Sequence, residues 1–187
     1  MFNLKICVMV LVSFFTSFAM ADTYERLHSG TLKGKLLIQW LEPDVFLFIP
    51  DADNPLYFVR SDGTKIQPKR LLTDGGSVPR PIWAFKKYSP WGYAPAFIIH
   101  DWIFHLKGCK LGDYQNYDLN TAADVMGEII KTMMESGKVE RDPVTVDLMT
   151  TAVRSSFARE QWENGRCTPA PAAFGGAPIS QYTIEFD

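Results

Sequence analysis

The chain is poor in the residues on which most catalytic signatures rest. It holds three histidines and three cysteines in 187 residues, and no HExxH, GxSxG, CxxC or phosphate-cradling glycine motif. The readable signatures of zinc proteases, serine hydrolases, dithiol redox proteins and nucleotide binders are therefore absent. So few histidines also argue against a zinc-dependent cell-wall amidase built on His100, Asp101 and a further acid, because zinc normally draws on more of them. Lys and Arg number 19 against 21 Asp and Glu, a formal net charge of −2, and no basic run occurs. Nucleic acid and anionic membrane surfaces are thus not expected partners. No internal repeat is visible.

What is present begins with MFNLKICVMVLVSFFTSFAMA. Lys5 precedes an apolar run from Ile6 to Val12, apolar residues continue to Phe18, and Ala19-Met20-Ala21 follows the small-x-small rule. Residues 1–21 therefore read as a secretory signal peptide. Ser13, Thr16 and Ser17 interrupt a core that is short for a span, so no stable membrane span is expected after cleavage and the expected location is secreted or periplasmic. Loss of Lys5 leaves 18 basic against 21 acidic residues, a net of −3. Cys7 leaves with the signal, and Cys109 and Cys167 remain as candidates for one disulfide. Whether they meet depends on backbone distances that spacing does not supply.

Residues 22–167 read as a single globular domain and 168–187 as a Pro/Ala/Gly-rich tail in which QYTIEF is a candidate edge strand. From Thr31 to about Arg70, LKGKLLIQWL, DVFLFI, LYFVR and TKIQP are strand-like runs, with Asp62-Gly63 as a hairpin turn. Asp51, Asp53 and Asn54 read as a surface turn, since the glycine and distal glutamate of a calcium loop are missing. Leu71–Trp83, LLTDGGSVPRPIW, reads as a rigid loop, with Pro79 and Pro81 stiffening it and Gly75-Gly76 allowing close approach to a ligand. Its polar members are Asp74, Ser77 and Arg80.

Three helices follow. The first carries His100 and Asp101 and ends near Gly108. The second is capped by Asp118 or Asn120 and stops at Gly137, with a buried stripe of Ala122, Val125, Met126, Ile129, Ile130 and Met133. The third starts at Asp142-Pro143 and ends at Gly165, with Val146, Met149, Val153 and Phe157 inward. The expected fold class is α+β: a small, mostly antiparallel N-terminal sheet packed on about three C-terminal helices.

PAFIIHDWIFH, Pro95 to His105, organises the chemistry. A histidine and a carboxylate inside an apolar run are costly without partners. With a carboxylate to fix its tautomer, the His100 imidazole can take a proton from water. Helical periodicity puts Asp118 on the apolar side of the second helix and Asp124 on its polar side with Glu128, Lys131 and Glu135, so Asp118 is favoured as partner. Asp101 is a hard oxygen ligand for a calcium-like cation, with the Asp74-Gly75-Gly76 loop completing the shell. Ser77 and Arg80 would support that loop, and His105 can pair locally with Asp101.

TDGGSVPR (Thr73 to Arg80), HDWIF (His100 to Phe104) and AAD (Ala122 to Asp124) resemble a bacterial and phage family of unknown function. That resemblance covers about the central third of the chain and implies a shared fold and site, not an activity. HDWIF is also distantly similar to the His-Asp helix of secreted phospholipases A2. This likeness implies His100 as base, Asp101 as calcium ligand and Asp124 as the supporting acid, although Ile99 and Ile103 stand where phospholipases carry cysteines. The first expected function is a metal-assisted hydrolase of ester-type bonds with calcium as candidate cofactor and a small-molecule or lipid-like substrate. The alternative is a non-enzymatic binding or phage-derived accessory protein in which the His-Asp pair is structural.

Overall fold

Alternating burial builds the first strand. In a computed structural model that describes residues 23–42, 45–73, 92–170 and 177–187, strand β1 (Thr31–Glu42) turns Leu32, Leu36 and Ile38 into the core. Lys33, Lys35 and Leu37, which alternate with them, are more exposed, the period-two pattern of a sheet covered on one side. One edge of β1 pairs with β2 (Val45–Pro50), with Ile38 opposite Phe48. The other edge is shared: β3 (Tyr57–Val59) lies opposite Thr31 to Lys33, and β6 (Ser180–Phe186) lies opposite Gly34 to Trp40. The handover falls at Gly34, where φ is +98° and an added Cβ would stand 2.2 Å from the Pro55 carbonyl oxygen. Only glycine fits that backbone and that approach.

β4 (Lys65–Ile66) pairs with β3 across the expected Asp62-Gly63 turn, and β5 (Leu71–Thr73) pairs with β2. All these pairings are antiparallel. The start of the segment expected to be an irregular loop is thus a strand. Phe46 to Phe48 of β2 offer an open edge, and Leu71 is buried on it, so pairing and burial together override the turn signals that follow. QYTIEF forms β6 as expected. Asp51 makes the expected turn, its Oδ1 accepting the amides of Asp53 and Asn54.

The helices are α1 (Ala94–Cys109), α2 (Leu119–Glu135), α3 (Pro143–Ala152) and α4 (Ser156–Asn164), with a 3₁₀ turn at Tyr114–Asn116. The arrangement is α+β, as expected, with four C-terminal helices among the described residues in place of about three. The single helix expected from Pro143 to Gly165 breaks because Ser155 caps a new one, its side-chain oxygen accepting the Ala158 amide. Val146, Met149 and Val153 stay buried, while Phe157, expected to face inward, is 52% exposed.

A second departure lies on α2. Glu128 and Lys131, expected on a solvent face, are 5% and 8% exposed. Residues 23–30 and Arg60 cover them: Lys131 Nζ donates to the carbonyls of Tyr24 (2.8 Å) and Leu27 (2.9 Å), and Arg60 holds Glu128 through Nε (2.8 Å) and Nη2 (2.7 Å). Gly127 brings this layer close, since a Cβ there would stand 2.5 Å from Leu27 Cδ1 and 2.6 Å from Thr150 Cγ2. Helix α1 packs on α2, β5 and α4 and is buried nearly all round. Among the described residues no helix is long and apolar enough to cross a membrane.

Candidate functional site

Helix α1 carries the site because its sequence is apolar on every side. Phe97, Ile98, Ile99 and Ile103 are buried on the same helix as His100, whose exposure is 0%. The Phe104 ring lies one turn on, 4.7 Å from the imidazole. Asp101 stands at the rim of this packing, its side chain 13% exposed. At the end of β5 the Thr73 hydroxyl donates to Asp101 Oδ2, tying helix to sheet. Asp101 Oδ1 stands 3.3 Å from His100 Nδ1.

A carboxylate beside Nδ1 is attractive only when that nitrogen carries the proton, so the contact assigns the Nδ1–H tautomer to neutral His100. The lone pair then resides on Nε2. That atom is buried and has no hydrogen-bond partner among the described residues. A buried polar atom left in this way costs on the order of 1–3 kcal/mol, which packing tolerates only rarely.

A cleft of about 470 Å³ opens beside Asp101, lined by Thr73, Asp101, Phe104, His105, Gln161 and Arg166 among others, with His100 buried behind its wall and not among the lining residues. His105 sits four residues past Asp101, its ring stacked 5.3 Å from Trp102 and its Nδ1 3.8 Å from Cys109 Sγ. Burial pushes the His105 pKa below the ordinary histidine value, so the ring is neutral around pH 7. The far wall is fastened by a disulfide: Cys109 and Cys167 are joined, with Cα atoms 4.4 Å apart. This bridge ties the end of α1 to the segment that follows α4, which carries Arg166.

The two acids considered as partners of His100 have other occupations. Asp118 is the N-cap of α2, its Oδ1 accepting the Thr121 amide at 2.6 Å. Hydrogen bonds from Thr121 hold its pKa below the usual carboxylate value. Asp124 is clamped by two guanidinium groups, from Arg26 at 2.8 Å and from Arg154. Asp74, Ser77 and Arg80 lie outside the described residues; of the remaining expected set, the structure brings only His100 and Asp101 together. Among the described residues no three His, Cys, Asp or Glu side chains converge as a metal site.

Three participants escaped the sequence reading. Thr73 opens the TDGGSVPR stretch, and its adjacency to Asp74 was the available signal for its role. For Arg166 the signal was its place beside Cys167, a candidate for the disulfide to Cys109; Gln161 had none, because only the return of the chain along α4 brings it to α1.

No curated protein and no solved structure matches the chain. One family model, described as Protein of unknown function (DUF1353), matches residues 53–153. The matched span takes in Thr73, His100, Asp101 and His105 and ends before α4 and Cys167. Because the match covers more than half of its length, the chain belongs to this family of unknown function, DUF1353.

Proposed function

We propose that the chain is an exported hydrolase of ester-type bonds that works at the cleft beside His100 and Asp101. The observation that carries the reading is the buried, unbonded Nε2 of an imidazole whose other nitrogen faces a carboxylate. Asp101 fixes the tautomer and stabilises the imidazolium, and Nε2 takes the proton of the attacking water. In this reading Asp101 replaces Asp118 and Asp124 as the orienting acid. Neutral His105 and the Arg166 guanidinium line the same cleft, where a cation can meet an oxyanion as charge develops. Calcium held by Asp101 and Asp74 would polarise the ester carbonyl. The signal-like residues 1–21 and the Cys109–Cys167 bridge support export, because disulfides persist in oxidising compartments.

A second reading has its own observation. His100 exposes nothing, and the Thr73–Asp101 bond ties β5 to α1; on this reading the pair is a clasp in a non-enzymatic binding or phage-derived accessory protein. The discriminating experiment assays the mature chain and His100→Leu on short-chain nitrophenyl esters and on phospholipid vesicles, with melting curves alongside, with and without calcium. The hydrolase reading expects turnover by the native chain that His100→Leu loses at unchanged melting temperature. No turnover by the native chain, or equal turnover by both, sinks it. A calcium-induced rise in melting temperature that Asp101→Asn lacks is expected for the metal-assisted form.

A further inference from the structure

A second cleft lies behind the first. It measures about 440 Å³ and is lined by Lys107, Asp118, Asn120, Arg159, Trp162 and Glu163. The end of α1, the start of α2 and one face of α4 enclose it. The two clefts share a wall of aromatic rings, since Phe104 lines the first and meets the Trp162 indole of the second edge-to-face, with centroids 5.0 Å apart at 78°.

The chemistry of this second cleft is specific. Its charges balance, Lys107 and Arg159 against Asp118 and Glu163, so neither an anion nor a cation is favoured. Among the described residues the side chains of Asn120, Arg159 and Glu163 make no hydrogen bond or ion pair, which leaves planar donors and acceptors facing solvent around an indole. Asp118 is already oriented by the helix cap and kept ionised by it, so its use as an acceptor costs little ordering entropy. Trp162 is held edge-to-face by Phe104, and Lys107 Nζ stands over its ring, 5.7 Å from the centroid.

Paired hydroxyls on a ring with a C–H face are the ligand chemistry that matches such a set. Each planar amide, carboxylate or guanidinium bridges two neighbouring hydroxyls, and the C–H face lies on the indole, which combines large apolar area with rigidity. The volume falls in the ordinary range of small-ligand sites. We propose that the cleft between Trp162, Asp118, Asn120, Arg159 and Glu163 is a saccharide-binding site for a neutral pyranose-containing chain. It does not depend on hydrolysis in the first cleft.

The test is a tryptophan-fluorescence titration of the mature chain with chitotriose in its N-acetylated form, cellotriose and maltotriose as probes. At least one probe is expected to give a saturable change that weakens roughly tenfold or more in Trp162→Ala, the scale of losing a central aromatic contact. Arg159 and Asn120 are exposed, so Arg159→Ala and Asn120→Ala keep the fold and are expected to weaken the same probe, read by calorimetry. No saturable response to any of the three probes overturns the proposal. So does undiminished affinity in Arg159→Ala and Asn120→Ala together.

Discussion

Two buried polar regions of this molecule, one on α2 and one on α1, are built by opposite rules. On the covered side of α2 every polar group has company: Arg60 grips Glu128 with two bonds, Lys131 reaches two backbone carbonyls, and the Gly30 amide donates to Thr132 Oγ1 at 2.8 Å. In the middle of α1, His100 is more deeply buried than any of these groups, yet one of its nitrogens has no partner among the described residues. A saturated network fixes one arrangement of elements, here the N-terminal segment against the helix. An unsaturated atom at similar depth lowers stability, and under the proposed hydrolase reading it is kept because the chemistry uses its lone pair.

The comparison predicts effects of opposite sign. The largest is at α2, where Glu128→Ala leaves the Arg60 guanidinium, whose side chain is only 19% exposed, with only its longer 3.6 Å pair to the exposed Asp62. A loss of about 3 kcal/mol is expected by urea unfolding. A loss under about 1 kcal/mol would mean the network is surface decoration of the ordinary exposed kind. Next is His100→Leu, which removes an unbonded nitrogen while nearly conserving volume. Its unfolding free energy is expected to stay level or rise by about 1 kcal/mol. A fall of more than about 2 kcal/mol would place His100 among the satisfied structural groups.

The smallest effect is a pH slope at His105. Its folded pKa lies below the unfolded value because of burial. Its stabilising contribution is therefore complete above the unfolded pKa of about 6.5 and is lost as pH falls from there through the folded value, where the unfolded chain takes up a proton that the folded chain refuses. His105→Gln is expected to flatten the stability profile between about pH 7 and 5. An unchanged slope would show that another group titrates there.

Much of this was legible in order along the chain. Leu32, Leu36 and Ile38 alternate, Asp62-Gly63 turns, Asp118 caps, and the α2 stripe recurs at helical spacing; each depends on neighbours within a few residues, which is the range over which backbone geometry and periodicity act. The His-Asp pair stood out for the same reason, as two costly groups in an apolar run. The break at Ser155 was the local feature that misled, because Val153 and Phe157 share a helical phase until a cap interrupts it.

The partners were a different matter. Glu128 and Lys131 read as solvated because nothing near them in sequence says that residues 23–30 and Arg60 will lie over them. Asp124 is held by Arg26 and Arg154 from opposite ends of the chain, and both clefts need the return of α4 to α1. By itself the sequence determined the elements, the class of fold and the residue pair at the centre of α1, since propensity, capping and burial period are local. The tertiary structure alone decided that Asp124 is held by Arg26 and Arg154 and that Glu128 and Lys131 are buried and satisfied, because each of those contacts joins residues far apart in the chain, whose separation is set by packing and chain return.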